Sequence, residues 1–236
     1  MVMPVPGPVV AVPGLVVAVP GLGLSAAVPQ RTLRRLPVPS AVVELPGFGS
    51  PARPGSPRHP ADLARCLLAR LDGLGIERVT LLGHSASCQV VAHAAVLAPD
   101  RVAALVLVGP TTDPDTATWP ALVRRWLRNV VWERPGQAPL VLRDYRRTGL
   151  GAMARAMDAA RHDRIDHVLA GVASPVLVVR GGHDRICSAA WTRALAAGTP
   201  HGTAVTLSGG AHMVPLTRPG ELAATISAFF SGDGRA

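Results

Sequence analysis

Three side chains in this sequence could together cleave an ester-like bond: those of Ser85, Asp184 and His212. A serine hydroxyl is a weak nucleophile at neutral pH, so it needs a base to take its proton and an acid that orients the base. His212 could act as the base and Asp184 as the acid. Each of the three follows an apolar, β-rich run, directly or after a short glycine-rich loop, which predicts a strand ending before it. The sequence therefore predicts a nucleophilic serine site at the ends of strands.

The surroundings of Ser85 point to the same chemistry. Residues 83–87 read Gly-His-Ser-Ala-Ser and lie between an apolar run at 79–82 and a helical pattern over 86–98. A strand, a sharp turn and a helix with serine at the turn lift the hydroxyl clear of the sheet. The last position of this turn usually holds glycine, and Ser87 is small enough to replace it. A helix that starts just after Ser85 also aims backbone N–H groups at an anion formed there.

Other acids and histidines could contribute to the same site. Asp113 and Asp115 follow the next predicted strand, so either could replace Asp184 as the acid. The remaining histidines are predicted to be structural or pocket-lining (His84, His183), to pack on a helix (His93) or to lie on the surface (His59, His162, His167, His201). No group of His, Asp and Cys residues has the spacing of metal ligands, so we expect no metal.

The elements that must position these residues alternate between strand and helix patterns. Strands are predicted at Val16–Val19, Ala41–Leu45, Val79–Leu82, Val102–Val108, Pro175–Val179 and Thr203–Leu207. Helices are predicted at Pro60–Leu74, Ala86–Ala98, Ala189–Ala197 and Pro219–Phe230. Short β-rich runs that alternate with helices predict an α/β fold with a mostly parallel sheet and helices on both faces.

Residues 111–171 interrupt this alternation. They show helical patterns without a strand, and they contain three tryptophans and many arginines. We interpret them as a short helical lid inserted over the carboxyl edge of the sheet, where open α/β sheets bind ligands. Residues 16–110 and 172–236 would then form the core, and residues 1–15 an N-terminal extension or edge strand.

The beginning of the chain contains a direct repeat. Val-Val-Ala-Val-Pro-Gly-Leu occurs at 9–15 and again at 16–22, and only the second copy continues into Gly-Leu-Ser and a helical pattern. The second copy is therefore predicted to form the strand and the loop that follows it. Prolines interrupt the first 20 residues and no basic segment precedes them, so neither a signal peptide nor a membrane span is predicted.

Composition excludes several other functions. The 236 residues are 48% hydrophobic, which predicts one domain with a sizeable core. The 24 basic residues are all arginine and give a net charge of +9, but they are scattered and aromatic residues make up only 3%. A nucleic-acid surface is therefore not expected. The three cysteines are widely spaced and lack a C-x-x-C motif, which predicts a cytoplasmic protein without disulfides or zinc. The oligomeric state stays open.

From about Val16 to Phe230, the chain resembles the α/β-hydrolase fold family, in its lid-bearing esterase, lactonase and carbon–carbon hydrolase branch. The resemblance rests on the Ser85 turn, the Leu-Pro-Gly-Phe-Gly-Ser stretch at 45–50, and the loops of Asp184 and His212. The order Ser, Asp, His is the order expected of this family.

The resemblance has implications and departures. It implies that the backbone N–H groups of Leu22 and Ala86 bind the oxyanion, a role that needs no side chain. The family usually has His-Gly after its third strand, where this chain has Pro20 and Gly21. Because little sequence precedes Val16, the family's first two strands are expected to be shortened or missing.

The implied activity is that of a cofactor-free serine hydrolase that forms an acyl-enzyme on a small substrate with an apolar acyl or aryl group. A carbon–carbon bond hydrolase, or a haloperoxidase or perhydrolase, would use the same three residues. A non-catalytic ligand-binding protein of this fold is the alternative from another class. The fold alone does not name the reaction.

Overall fold

The structure is a computed structural model and describes residues 14–114 and 117–232. Its strands are β1 (Val16–Val19), β2 (Ser40–Val42), β3 (Leu45–Pro46), β4 (Gly49–Ser50), β5 (Val79–His84), β6 (Val102–Val108), β7 (Val176–Arg180) and β8 (Gly202–Thr206). Its helices are α1 (Ala27–Leu33), α2 (Pro60–Gly73), α3 (Ser87–Leu97), α4 (Trp119–Val130), α5 (Ala138–Thr148), α6 (Leu150–His162), α7 (Ile165–Leu169), α8 (Ala189–Ala197), α9 (Val214–Thr217) and α10 (Pro219–Phe230). Short 3-10 turns occupy Pro99–Arg101 and Pro135–Gln137.

Six strands form one sheet in the order β2-β1-β5-β6-β7-β8. Every pairing between neighbours in this sheet is parallel. The carboxyl ends of β5 and β7 therefore face the same edge, and these are the strands that lead to Ser85 and Asp184. The predicted α/β class with a mostly parallel sheet is confirmed.

Side chains alternate between two cores, one on each face of the sheet. In β1, Val17 and Val19 pack in the core that also takes residues of α2, α3 and α8, whereas Val16 and Ala18 pack in the core with α10. β6 is buried along all of its length on both faces. This explains why its sequence is a continuous apolar run rather than an alternating one. The two-sided covering anchors the strand ends that carry the site.

The largest error in the predicted strand boundaries concerns residues 41–45. The expected strand over Ala41–Leu45 ends at Val42, and Leu45 instead belongs to the short ladder of β3 and β4. Gly47 and Gly49 adopt positive φ angles of 83° and 99°, which turn the chain sharply at this point. The turn is closed by hydrogen bonds between Leu45 and Phe48.

Between β6 and β7 the chain forms the helices α4 to α7. We call residues 111–171 the insertion, and within its described part no strand occurs. The predicted N-terminal extension is described only from Gly14 onward, so the first copy of the repeat up to Pro13 lies outside the described residues. Asp115 also lies outside them. Across the described ranges, no helix has both the length and the apolar character needed to cross a membrane.

Candidate active site

Ser85 lies at the turn between β5 and α3, as predicted. Its φ angle is +58°, a conformation that residues other than glycine rarely adopt. The turn is held in place by a hydrogen bond of 2.9 Å from the Ser85 N–H to the Val108 carbonyl at the end of β6. A Cβ atom on Gly83 would lie 2.8 Å from the Cα atom of Cys88, so strand and helix approach too closely there for any other residue. The geometry keeps the Ser85 side chain half-buried at the sheet edge.

Ser87 does more than substitute for glycine. Its hydroxyl is fully buried and accepts a hydrogen bond of 2.8 Å from the N–H of His84. The same oxygen lies 2.9 Å from the carbonyls of Val19 and His84, which share its single hydrogen. The hydroxyl therefore links the turn to the end of β1, the strand that precedes Leu22.

The structure brings Asp184 and His212 together. His212 Nδ1 lies 2.9 Å from Asp184 Oδ2, and both side chains are buried. Asp184 lies in the acid loop, residues 181–187, and His212 in the base loop, residues 208–213. Backbone hydrogen bonds from Gly182 to Gly209 and from His183 to Gly210 join the two loops. The predicted acid and base thus sit on loops that pack directly against each other.

The charges of Asp184 and His212 follow from their burial and from their contact with each other. Burial works against ionisation of Asp184, but the charge and hydrogen bond of His212 and two backbone N–H groups outweigh it and lower the pKa of the carboxyl. Burial likewise opposes a charge on His212, yet the Asp184 carboxylate, with a smaller effect from Glu133, raises the pKa of the imidazole. Asp184 is therefore an anion that favours the imidazolium form of His212.

The other ring nitrogen of His212 is available for proton transfer. His212 Nε2 is buried and has no hydrogen-bond partner among the described residues. No hydrogen bond joins it to Ser85 within that part of the chain. In free enzymes such catalytic contacts are often long and tighten when substrate binds.

The backbone N–H groups predicted to bind an oxyanion lie in two different elements. Ala86 is the N-cap of α3, and Leu22 lies in the oxyanion loop, residues 20–25, after β1. Within the described chain, neither N–H has an intramolecular acceptor. The loop itself is fixed by a hydrogen bond of 2.8 Å from Gly23 N–H to the Gly47 carbonyl. Its role in binding an oxyanion stays a prediction.

Comparison with known proteins decides the family. The sequence profile described as "alpha/beta hydrolase fold" matches residues 14–161, more than half of the chain. The chain belongs to the α/β-hydrolase fold family. Family membership supports a hydrolase as the class of enzyme. Among curated proteins, none matches this hydrolase significantly.

Solved structures of similar fold include several hydrolases. A thermophilic esterase from Thermogutta terrifontis superposes with a TM-score of 0.73 at 21% identity, over 93% of this chain and 90% of that one. The enol-lactonase from Burkholderia xenovorans LB400 gives 0.71 at 18% identity, over 91% and 90%. The N-formylmaleamic acid deformylase from Pseudomonas putida S16 gives 0.71 at 19% identity, over 91% and 92%. At these identities the likeness concerns the fold of this hydrolase.

The alternative acids differ in their surroundings. Asp113 forms an ion pair of 3.0 Å with Arg125 of α4, while the carboxylate against His212 Nδ1 is that of Asp184. Asp115 lies outside the described residues. The geometry of this hydrolase therefore favours Asp184 as the acid.

His84 lies directly beside the base. Its ring is fully buried, with its centroid 5.2 Å from that of His212, and its Nε2–H donates a hydrogen bond of 3.0 Å to the His212 carbonyl. Burial lowers the pKa of His84 to about 3, so the ring is neutral. A Cβ on Gly21 would lie 2.8 Å from His84 Nδ1, so the Pro-Gly of the oxyanion loop leaves room for this ring. His84 is a structural support of the base loop.

Sequence reasoning missed Arg180, at the end of β7. This side chain is 6% exposed and donates hydrogen bonds of 2.9 Å to the Cys187 carbonyl and 2.7 Å to the Asp184 carbonyl. These two bonds attach the middle and the end of the acid loop to the end of β7. The signal was present, because a charge at the end of a buried apolar run must find buried partners.

The remaining predicted histidines have other partners. His183 stacks on Trp132 with ring centroids 4.4 Å apart, and His93 Nε2 lies 2.7 Å from Asp163 Oδ1. In the described ranges, no group of three or more His, Cys, Asp or Glu side chains could hold a metal ion.

Two cavities of the described structure are lined by residues other than Ser85 and His212, although Asp184 lines one of them. One of about 1000 Å³ is lined by α4 and the acid loop, and one of about 630 Å³ lies between the start of α2 and α6. Neither is lined by Ser85 or His212, so we assign neither as the place where the scissile bond binds.

Proposed function

We propose that this protein is a cofactor-free serine hydrolase that cleaves an ester-like carbonyl substrate through an acyl-enzyme. The observation that carries the proposal is the buried His212, whose Nδ1 is bonded to the Asp184 carboxylate while its Nε2 has no partner in the described chain. This arrangement leaves one nitrogen free to take a proton and supplies the anion that stabilises the resulting cation.

The reaction then divides into two acyl-transfer steps. His212 Nε2 takes the proton of Ser85 as its oxygen attacks the carbonyl carbon, and the N–H groups of Leu22 and Ala86 bind the oxyanion. The imidazolium gives its proton to the leaving oxygen, so that the alcohol departs and the acyl group stays on Ser85. A water molecule, deprotonated by His212, releases the acid in the same way.

Apolar side chains around the oxyanion loop support a substrate with an apolar acyl or aryl group. A Cβ on Gly23 would lie 2.7 Å from the Met153 methyl carbon and 3.1 Å from a ring carbon of Tyr145, so both side chains of the insertion lie against this loop. Leu24 and Met213 are buried in a small apolar cluster on which Tyr145 also packs. The insertion would act as a lid of this composition over a small-molecule substrate. The three cysteines are free thiols, which supports the cytoplasm as the compartment.

The test of this function is the variant Ser85→Ala. Members of a triad act as a unit, so the loss in kcat should reach about 10⁶-fold, with the melting temperature preserved because alanine fits the turn. The wild type should be labelled covalently by a fluorophosphonate at Ser85, and the variant should not. A variant that kept more than a few per cent of the activity would disprove the serine mechanism.

The substrate class is tested with the wild-type protein. Aryl esters of graded acyl length, lactones and vinylogous diketones separate an esterase or lactonase from a carbon–carbon bond hydrolase. A protein that binds ligands but neither turns over any of these substrates nor reacts with the fluorophosphonate would be a binding member of the fold.

A further inference from the structure

The insertion contacts the base loop through the carboxylate of Glu133. This residue follows α4, and its Oε1 accepts a hydrogen bond of 3.0 Å from the N–H of Met213, which directly follows His212. The two partners are 80 residues apart in the chain. The base loop is therefore held by His84 on the side of the sheet and by Glu133 on the side of the insertion.

The Glu133 carboxylate is held in turn by two amides at four-residue spacing. Asn129 Nδ2 donates to Glu133 Oε1 at 2.8 Å, and Gln137 Nε2 donates to Glu133 Oε2 at 2.9 Å. Both carboxylate oxygens thus have partners, so the side chain has little freedom to leave Met213.

The same strip of the insertion also reaches the acid loop. Asn129 is 3% exposed, and its Oδ1 accepts a hydrogen bond of 3.0 Å from the Arg185 N–H. One turn earlier, Arg125 Nη1 donates to the Ile186 carbonyl at 3.0 Å. We call Arg125, Asn129 and Glu133 the clamp. Arg125 and Asn129 lie on one face of α4 and contact the acid loop, and Glu133 follows this helix and contacts the base loop.

We propose that Glu133 is a positioning residue for the base. Its hydrogen bond to Met213 fixes the base loop, so the alignment of His212 with Asp184 depends on the packing of the insertion against that loop. This inference rests on the proposed function, since it assigns Glu133 a part in proton transfer to His212. Glu133 acts through His212 and does not itself touch the reacting atoms.

The electrostatic surroundings of His212 support this role. The titratable groups that act on it are Asp184 from the acid loop, His84 from the end of β5, and Glu133 from the insertion. Burial lowers the pKa of His212, but the two carboxylates outweigh it and the pKa is raised; His84 is neutral. His212 becomes a cation as serine attacks, so a second anion stabilises the transition state more than the ground state.

The direction of the pH effect follows from this. The base is active only when unprotonated, so activity is lost as the pH falls through the pKa of His212. Removing the Glu133 charge lowers that pKa, which moves the loss of activity to lower pH. We call the low-pH side of the activity profile the acid limb. Substitution of a residue that merely stabilised the insertion would change the melting temperature and leave the acid limb unchanged.

Two substitutions separate charge from contact. Glu133→Gln removes the charge but keeps an oxygen for the Met213 N–H. The Gln137 amide can turn to accept the new N–H, since its Oε1 is buried without a partner in the described chain. Glu133→Ala removes both. Asp166→Asn is the matched control, because it removes a carboxylate of the same insertion at α7, where it pairs with Arg164.

The experiment measures the rate of fluorophosphonate labelling at Ser85 against pH, together with kcat for an aryl ester and the melting temperature. We expect Glu133→Gln to move the acid limb to lower pH and to lower the plateau kcat, but by less than Glu133→Ala does. Glu133→Ala should lower the plateau kcat about 10-fold, because the Met213 N–H loses the hydrogen bond that holds the base loop. The control Asp166→Asn should change neither the acid limb nor the plateau kcat.

Two results would count against the role of Glu133, and they can be told apart. An unshifted acid limb in Glu133→Gln with a wild-type plateau in Glu133→Ala would overturn it, whatever the melting temperatures. Absence of wild-type labelling at Ser85 would instead overturn the proposed function, and the role of Glu133 would fall with it.

Discussion

The acid loop and the oxyanion loop are held in opposite ways. The Asp184 carboxylate accepts hydrogen bonds of 2.8 and 2.9 Å from the N–H groups of Ile186 and Cys187, only two and three residues away. Arg180 closes the same loop from four and seven residues away. The acid loop is therefore organised largely by its own sequence.

The oxyanion loop depends on distant parts of the chain. Ser25 donates hydrogen bonds from its N–H and its hydroxyl to Asp144 of α5, 119 residues later. Ala26 N–H lies 3.4 Å from a Glu44 carboxylate oxygen, and Gly23 is bonded to Gly47. This loop is thus held partly by the insertion.

The contrast separates two components of the proposed catalysis. Orientation of the base by Asp184 should survive changes in the insertion that leave the clamp intact, because the acid loop carries most of its own supports. Stabilisation of the oxyanion should respond to such changes, because the loop that bears Leu22 has a buried partner there. The three predictions below test this division, beginning with the largest expected effect.

Asp184→Asn should lower kcat by about 10⁴-fold, because an amide facing His212 Nδ1 favours the wrong tautomer of the ring. Asp113→Asn is the matched control, since it also neutralises a buried acid, one that pairs with Arg125 and accepts a hydrogen bond from Ser188. Ester kinetics and melting curves of both variants provide the measurement. A larger loss in Asp113→Asn would move the acid to the loop after β6.

Leu22→Pro should lower kcat by about 10²–10³-fold, because proline removes an N–H that would face the oxyanion, and one such donor contributes about 3–4 kcal/mol. Leu22→Ala keeps the N–H and loses only apolar packing, so it controls for the side chain, which is 8% exposed. Circular dichroism must first show that both variants fold. A folded Leu22→Pro with wild-type kcat would show that this N–H does not bind the oxyanion.

The division between local and distant supports also explains what the sequence could predict. The strand before Ser85 and the buried run of β6 were predictable, because the apolar pattern of a strand is contained in a few neighbouring residues. The pairing of Asp184 with His212 was predictable in outline, since both loops follow strands that end at one edge of the sheet. The end of β2 at Val42 was not predicted, because the apolar pattern continues to Leu45. The turn at Gly47 places Leu45 in β3 instead.

Contacts across the insertion could not be predicted in the same way. Glu133 and Met213 are 80 residues apart, and Ser25 and Asp144 are 119 apart. No periodic pattern relates such positions, because they meet only after the insertion has packed on the sheet. Arg180 is different, since a buried charge four residues before Asp184 was visible in the sequence and its need for partners was foreseeable.

The smallest expected effect is that of Asp144, which tests the distant support of the oxyanion loop. Its side chain is 2% exposed, and its Oδ2 accepts hydrogen bonds of 2.9 and 2.6 Å from the Ser25 N–H and hydroxyl. In Asp144→Asn, both donors lose their charged acceptor, which costs about 1–3 kcal/mol. We expect kcat for an aryl ester to fall by up to about 10-fold with KM nearly unchanged.

Ser25→Ala gives a graded control for this prediction, because it removes the hydroxyl and keeps the N–H bond to Asp144. Its loss of kcat should therefore be smaller than that of Asp144→Asn. The acid limb of the pH profile should stay in place in both variants, since neither changes a charge that acts on His212. If Asp144→Asn lowered the melting temperature but left kcat intact, the oxyanion loop would keep its geometry without the insertion, and the contrast with the acid loop would not hold.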